Sequence, residues 1–420
     1  MSGVELSFGP FVLDAAGARL LRDGREVRLR PQALQALKAL LARSGRSLSY
    51  EEMIAEAWKG TFVSRHTVDV TVGEVKKTLG EYGTWISHRP KVGYAIDVPT
   101  SDALVRKGWH FWERRTRQGF ERALDCFKQA VTECPSDFRA FEGLSVSYLM
   151  LATWGIQPPR AMYQGFLEAH ERAVALGGLT PQLRCNRAHG LHMFERRFPD
   201  AEAEFEQTLR EKPTLASAYV RTAMLYVTLG RLDAALDIVA RGLEADPLFP
   251  LLPLVQTELH LWRRDYAKAI ELGTTLVELH PYLQVGRSVY AQALQFSGQL
   301  DGALDQYKLA SLMSPDVTWL RGLEGACLAR MNRQREAWAI LEELEHIRAS
   351  EYVDAYYIAI LLAALGQREQ AFTELDRAYD ECSARLWQFH VDPKLDDFRG
   401  DARYTRMCAA VSQPSTAFER

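Results

Sequence analysis

The stretch VSRHTVDVTVGEVKKTLGEYGTWISHRPKVGYAI, residues 63–96, carries the most informative pattern in the 420-residue chain. Ser64 is a favourable helix N-cap, and apolar residues recur after it at helical spacing. The members of this apolar stripe are Val68, Val72, Val75 and Leu79. Two strand-like segments, 85–87 and 94–96, flank a turn that contains Arg89 and Lys91. The stretch therefore predicts a helix with one buried face, followed by a basic β-hairpin.

The helix face opposite this stripe carries mostly small and basic side chains, which would let the helix enter a DNA major groove. Cations at a hairpin tip beside such a helix suit phosphate or minor-groove contact. An ordinary solvated helix face has a similar composition, so the hairpin is what favours DNA. The candidate DNA-binding residues are Arg65, His66, Val70, Thr71, Glu74, Lys76, Lys77, Arg89 and Lys91.

The segment before this stretch predicts a small antiparallel sheet and two helices. Apolar and polar residues alternate around turn formers in 8–21, and Asp23-Gly24 favours a hairpin turn. Pro31 suits the first turn of one helix, and a second helix is predicted over about 50–58. Residues 1–100 hold 14 Lys and Arg against 11 Asp and Glu, whereas the remainder holds 37 against 43. A mildly basic head on an acidic body fits a nucleic-acid contact confined to the head.

These segments together resemble the OmpR/PhoB-type winged-helix output domain, with a wing closer to its ToxR/CadC/HilA branch. The matching motifs are FGPFVLD at 8–14, the Asp23-Gly24 turn with VRLRP at 27–31, VSRHTVDV at 63–70 and PKVGY at 90–94. The resemblance implies that the third helix enters the major groove and that the wing reaches the adjacent minor groove. It also implies that the loop Lys59–Val63 touches RNA polymerase. Gly73 and Glu74 depart from the family pattern, which bears on base preference rather than on the fold.

The rest of the chain repeats with a period of 34 residues. Prolines 213, 247, 281 and 315 keep this step, as do alanines 201, 235, 269, 303, 337 and 371. Such a period is typical of a solenoid, in which two-helix units bury their apolar faces against their neighbours. The motif resembles the tetratricopeptide repeat (TPR), and about eight units fit. The predicted fold class is therefore mainly α: an N-terminal winged helix-turn-helix (α+β) followed by an all-α TPR superhelical solenoid.

The expected domains are the winged helix over 1–99, the solenoid with a C-terminal cap over 102–398, and a C-terminal tail over 399–420. Repeats of this family usually bind proteins or peptides in their concave groove. The inward positions here are almost all uncharged, which favours an apolar peptide, a small apolar effector, or burial against another part of the protein. A superhelix that fills its own groove is an equal alternative. The candidate groove residues are Val220, Met224, Leu254, Glu258, Gln292, Trp319 and Tyr356.

Motifs that the sequence lacks narrow the function further. It contains no nucleotide-binding, hydrolase or zinc-protease motif, so neither catalysis nor a cofactor is expected. His189 and His192 stand three residues apart without a third ligand in view, which favours packing histidines over a metal site. The six cysteines lack paired spacing, as in a cytoplasmic protein with reduced thiols. The longest apolar run, 356–365, is about half of the ~20 residues that a membrane span requires.

The sequence-based hypothesis is a cytoplasmic, one-component bacterial transcriptional regulator similar to HilA. It would bind double-stranded DNA as a homodimer, because one such head reads only a half-site. One alternative is a TPR protein that senses a peptide or ligand and uses its winged helix mainly as a protein adaptor. A second alternative is an assembly protein whose solenoid inserts the head into a larger complex.

Overall fold

A computed structural model describes residues 5–8, 11–14, 19–22, 25–61, 63–90, 92–98, 101–415 and 417. The described residues divide between two compact units. One lies within Met1–Trp109 and Asp125–Phe141, and the other within His110–Leu124 and Glu142–Arg420.

The first unit begins with an antiparallel sheet of four short strands in sequence order. They are β1 (Glu5–Phe8), β2 (Phe11–Asp14), β3 (Arg19–Arg22) and β4 (Arg25–Val27). Side chains alternate between the two faces of a strand, and Phe11, Leu13 and Leu20 are fully buried on one of them. The sheet confirms the sequence prediction. The predicted turn at Asp23-Gly24 lies outside the described residues.

Three helices follow the sheet, and each begins where its sequence favours a helix start. They are α1 (Pro31–Ala42), α2 (Tyr50–Ala57) and α3 (Arg65–Leu79). Pro31 opens α1, Ser49 and Glu52 form a reciprocal capping box on α2, and Ser64 caps α3. A 3₁₀ turn (Gly80–Trp85) leads from α3 to the wing.

The wing belongs to a second antiparallel sheet, whose strands are β5 (Leu48–Ser49), β6 (Ile86–Arg89) and β7 (Gly93–Ile96). Their order in the sheet is β5-β7-β6. The inner faces of both sheets and of all three helices meet in one apolar core. Because α3 contributes its whole apolar stripe to this core, its opposite side is left facing outward.

Helix pairs fill residues 102–380. The eight pairs are α4 (Asp102–Glu113) with α5 (Arg117–Glu133), α6 (Phe138–Thr153) with α7 (Pro159–Gly177), α8 (Pro181–Gly190) with α9 (Phe198–Glu211), α10 (Ala216–Thr228) with α11 (Leu232–Ala245), α12 (Leu251–Trp262) with α13 (Tyr266–Leu279), α14 (Gln284–Phe296) with α15 (Leu300–Met313), α16 (Thr318–Arg330) with α17 (Gln334–Arg348), and α18 (Ala355–Ala364) with α19 (Arg368–Asp380). A π-helical turn (Leu191–Glu195) extends α8.

Small residues let neighbouring helices of the solenoid approach closely. The alanines that keep the 34-residue step, from Ala201 to Ala371, are all fully buried. Gly242 lies so close to its neighbour that an added Cβ would stand 2.8 Å from the Cβ of Tyr219. The period found in the sequence therefore marks the places where helices touch, which explains why small residues recur there.

The C-terminal segment, residues 383–411, lies along the first helices of alternate pairs. Its elements are two 3₁₀ turns (Ala384–Gln388 and Pro393–Phe398) and α20 (Ala402–Val411). Arg385 donates to the carbonyl of Thr153 on α6 (2.7 Å), and Thr228 on α10 donates to the carbonyl of Trp387 (3.0 Å). Two further contacts reach α14 and α18: Lys394 donates to Gln292 (2.7 Å) and Tyr356 donates to Asp392 (2.5 Å). The segment thus covers the inward positions of the solenoid instead of only capping its last helix.

This arrangement corrects two expectations. The tail predicted from residue 399 contains α20, whose Tyr404, Met407 and Val411 are buried in the last helical core. The candidate groove residues do not form an open groove. Gln292 and Tyr356 are hydrogen-bonded to the C-terminal segment. The side chains of Val220, Leu254 and Trp319 are buried. Met224 and Glu258 keep partial exposure. Among the alternatives left open by the sequence, the structure shows burial against another part of the protein.

His189 and His192 are buried within the solenoid. The Nε2 of His192 lies 2.7 Å from the hydroxyl of Thr228. The part of the chain that the structure describes contains no group of three metal-ligating side chains. It also contains no helix long and apolar enough to cross a membrane.

Candidate nucleic-acid interface

Helix α3 is held rigidly from its inner side. The Ser64 hydroxyl accepts a hydrogen bond from the backbone N–H of Thr67 (3.2 Å), which satisfies one of the free donors at the helix start. The apolar stripe predicted from the sequence is fully buried, as Val68, Val72, Val75 and Leu79 all show. The outward side chains of α3 are therefore presented from a fixed backbone.

The outward face of α3 is small and basic along its length. Its exposed side chains are those of Arg65, His66, Thr67, Val70 and Lys77, and Gly73 lies among them, while Lys76 is half-buried on the flank. Thr71 is placed differently from the prediction. It is buried, and its hydroxyl donates to the carbonyl of Thr67 (2.8 Å), so it points inward and cannot touch a groove.

Glu74 is paired instead of standing alone beside the exposed face. Its carboxylate accepts from the Arg30 guanidinium, with Nε at 2.6 Å, and from the Arg30 backbone N–H at 3.4 Å. These bonds lower the pKa of Glu74 and outweigh the effect of its partial burial. Because Arg30 neutralises this carboxylate, the departure from the family pattern does not leave an unpaired anion on the DNA-facing side.

The wing turns tightly, and its last strand, β7, pairs with β5 from its first residue, Gly93. Gly93 has φ +142°, and a Cβ at this position would stand 1.9 Å from the Leu48 carbonyl oxygen. Arg89 is exposed, with its guanidinium 3.9 Å from Asp97, and Val92 is half-exposed. Lys91, also predicted to contact DNA, lies outside the described residues. The wing therefore presents Arg89 on the strand that leads to the hairpin tip.

A hydrogen-bonded brace joins α3 to α2 and to the wing. The Asp69 carboxylate accepts from the Tyr50 hydroxyl and from the Tyr94 hydroxyl, both at 2.8 Å. His88 completes the group, with Nε2 3.2 Å from the Tyr50 oxygen and its ring centre 4.9 Å from that of Tyr94, at an interplanar angle of 46°. The Arg65 guanidinium also contacts this group, 5.1 Å from the centre of the Tyr50 ring. The brace fixes the angle between the exposed helix face and the wing.

The electrostatics of the brace favour an ionised Asp69. Burial alone would raise the pKa of Asp69, but the two tyrosine hydroxyls outweigh it and the net shift is downward. The bond to Asp69 raises the pKa of Tyr50, and burial followed by the same bond raises that of Tyr94. The sequence prediction does not include this group, because the pattern of α3 gives Asp69 no partner. The only signal was an acidic residue one position beyond the apolar Val68.

Taken together, the geometry defines a winged helix-turn-helix with a basic outward face, carried on a chain with a solenoid of TPR-type helix pairs. Residues 24–96 match the family model "Transcriptional regulatory protein, C terminal". The segment is thus an OmpR/PhoB-type winged helix, a DNA-binding domain of transcriptional regulators.

A curated relative matches the same region. The transcriptional activator CadC of Escherichia coli (strain K12) is 30% identical over 95 residues, which is 22% of this chain and 19% of CadC. This chain therefore covers about a fifth of the length of that relative, and the match describes only the winged helix.

Solved structures align with a larger share of the chain. The human IFIT1 dimer with m7Gppp-AAAA aligns with 75% of this chain and 78% of its own, at 15% identity and a TM-score of 0.50. The pilus biogenesis factor PilW aligns with 50% of this chain and 92% of its own, at 14% identity and a TM-score of 0.38. At such identities the likeness to IFIT1 shows a shared helical-repeat fold, and the PilW score is too low to add to it.

Proposed function

We propose that this protein is a one-component bacterial transcriptional regulator, similar to HilA, that recognises specific sites on double-stranded DNA. The observation that supports this most is the outward face of α3, where Arg65, His66 and Lys77 are exposed and Glu74 is neutralised by Arg30. Helix α3 would enter the major groove, and Arg89 would reach the phosphates of the adjacent minor groove. The protein would act by binding rather than by catalysis.

The partners in this proposal follow from the same reasoning. A single winged helix reads a short half-site, so a homodimer would double the contact and fix the half-site spacing. The loop Lys59–Val63 would touch RNA polymerase, as the family resemblance implies. A cytoplasmic location fits both partners. The winged helix and the solenoid would occupy the proposed ranges 1–99 and 102–398.

A salt titration tests the DNA-binding proposal. Fluorescence anisotropy with duplex DNA from the region upstream of the coding sequence would measure affinity across a series of salt concentrations. Affinity should fall steeply with salt, because bound phosphates release counterions. Lys77→Ala and Arg89→Ala should each weaken binding and reduce the slope of log K against log salt by about 1.

The matched control is Lys308→Ala, which removes an exposed lysine from α15 and should leave both affinity and slope unchanged. Glu74→Gln gives an opposite test. Arg30 would then be free to meet phosphate, so binding should strengthen or hold. If the protein fails to bind this DNA at low salt, or if Lys77→Ala behaves like the control, the proposal is wrong.

The alternative is a TPR protein that senses a peptide or ligand and uses its winged helix mainly as an adaptor, and its peptide-binding form is the less supported one. It needs an accessible groove, whereas the C-terminal segment covers the inward face of the solenoid through Gln292, Tyr356 and Thr228. No observation in the described residues favours the adaptor or the assembly alternative over DNA binding.

A further inference from the structure

The row of helix pairs in the second unit closes on itself. The loop between α4 and α5 reaches the starts of helices that lie far along the chain. The Arg117 guanidinium donates to the carbonyl of Asp316 (3.2 Å) and to Glu351 (2.8 Å), and Gln284 donates to the carbonyl of Arg115 (3.2 Å). The loop before α5 and the first residue of α5 thus meet segments beside the sixth, seventh and eighth pairs.

Arg115 lies in the loop that makes these contacts. Its backbone has φ +51°, and its guanidinium lies 5.2 Å from the ring centre of Trp112 and 5.5 Å from that of Phe249. Two aromatic rings from opposite sides of the closure therefore hold the cation. The rings offer no hydrogen-bond acceptor in their planes, so the N–H groups of Arg115 remain available to a ligand.

Arg221 on α10 is a second cation inside the same unit. It is only 7% exposed, and its Nη1 donates to the Asn186 side-chain oxygen (2.6 Å) and to the sulfur of Cys185 (3.4 Å). Both partners are neutral. Within the part of the chain that the structure describes, neither Arg115 nor Arg221 forms an ion pair with a carboxylate. A buried cation without a counter-charge is costly, so this arrangement calls for an anion from outside the chain.

The electrostatic environment supports the same conclusion. Burial, followed by the positive charge of Arg221, lowers the pKa of Arg115, so the two cations act on each other. The acidic group whose field reaches Arg115 is Glu113, which is exposed. Burial, followed by the charge of Arg221, also lowers the pKa of His189. The positive charge of Arg221 therefore reaches both Arg115 and His189.

A third observation points to the same place. The side-chain nitrogen of Asn186 is fully buried and has no hydrogen-bond partner among the described residues, although the oxygen of the same amide accepts from Arg221 and from Gln182. The Nδ1 of His189, one helical turn further along α8, is also buried and unpartnered. A buried amide N–H without an acceptor costs about 1–3 kcal/mol, which a bound acceptor would recover.

We propose that the second unit binds a small molecule that carries an oxyanion, held by Arg115 of the α4–α5 loop, Arg221 on α10 and the side-chain amide of Asn186 on α8. These groups supply only donors, and guanidinium groups match the paired oxygens of a carboxylate or a phosphate. The ligand would serve as an effector of the solenoid. This inference does not depend on DNA binding by the first unit.

Thermal unfolding of the full chain tests the proposal, with sodium phosphate and sodium acetate as probes at the ionic strength of a sodium chloride reference. The melting temperature should rise in phosphate, in acetate, or in both, because a ligand of the folded state stabilises it. Phosphate alone would identify a phosphate-bearing ligand, and acetate alone a carboxylate. Calorimetric titration of the same probe would give its affinity.

Variants separate a bound anion from a general salt effect. Arg221→Gln should lose the response to the probe and weaken its affinity about tenfold or more. The control Arg241→Gln removes an exposed arginine on α11 and should respond like the wild type. Arg115→Gln replaces Arg221→Gln as the test if the latter does not fold. The proposal is overturned if neither probe exceeds the chloride reference, or if the Arg115 and Arg221 variants keep the full response.

Discussion

At the scale of single residues, Gly93 shows how tightly the wing is built. Its positive φ and the Leu48 carbonyl leave no room for a side chain. We predict that Gly93→Ala destabilises the chain by about 2 kcal/mol or more, through backbone strain and displacement of β5. Gly73→Ala is the matched control, since an added Cβ on this exposed turn of α3 meets no atom within 4 Å. It should stabilise the helix by about 0.5–1 kcal/mol. Urea unfolding would measure both, and equal effects would contradict the prediction.

Glu258 on α12 makes a second prediction at this scale. Burial raises the pKa of Glu258 to about 7, despite the opposing charges of Arg385 and Lys394. A carboxyl whose pKa is raised on folding contributes full stability below its unfolded pKa and loses it as pH rises through 7. Glu258→Gln should therefore be more stable than the wild type by about 1–3 kcal/mol at pH 8, with no difference near pH 4.5. Melting curves against pH would test this. The exposed control Glu278→Gln should show no such trend.

At the scale of elements, the sequence predicts α3 well and the brace poorly. The burial of Val68, Val72 and Val75 follows from helical periodicity alone, because one face must meet the core. Periodicity says nothing about which polar side chains meet across elements. Asp69, Tyr50 and Tyr94 come together only when α2, α3 and β7 are placed in space. For the same reason the sequence predicts Thr71 as a DNA contact, although its hydroxyl donates to the carbonyl of Thr67 in the preceding turn.

The brace also carries the prediction for this scale. Asp69→Ala removes the acceptor of two tyrosine hydroxyls, so stability should fall by about 1–3 kcal/mol. Because the brace sets the angle of the wing, DNA affinity should fall further than the loss of folded protein explains. Urea unfolding and anisotropy would be compared at a temperature where both proteins are folded. Tyr82→Phe removes a hydroxyl that has no hydrogen bond in the described residues, and it should change neither quantity.

At the scale of the whole molecule, the sequence predicts the helical repeat but not the C-terminal segment that packs against its inward positions. A fixed step of 34 residues reports contacts between neighbouring pairs, so it predicts the stacking of α4 to α19. The C-terminal segment does not repeat, and several of its hydrogen bonds join residues more than a hundred positions apart, such as Lys394 with Gln292. A local pattern cannot reveal such contacts. Arg115 and Arg221 are not predicted from the sequence for a related reason, since Arg221 follows the expected inward position Val220 and Arg115 lies in a loop.

The last prediction concerns the C-terminal segment, residues 383–411, which covers the inward positions of the solenoid. Deleting residues 383–420 should expose the inward apolar positions, lower the melting temperature by several degrees and increase binding of a hydrophobic dye. The buried Asp392 contributes much of the stability that the segment provides. It accepts a hydrogen bond from Tyr356 and pairs with the buried Lys394 at 2.9 Å. Asp392→Ala in the full chain should therefore cost about 3–5 kcal/mol, since it leaves an uncompensated cation inside. Deleting only 416–420 is the control. A truncated chain with unchanged melting and dye binding would show that the solenoid is complete without the segment.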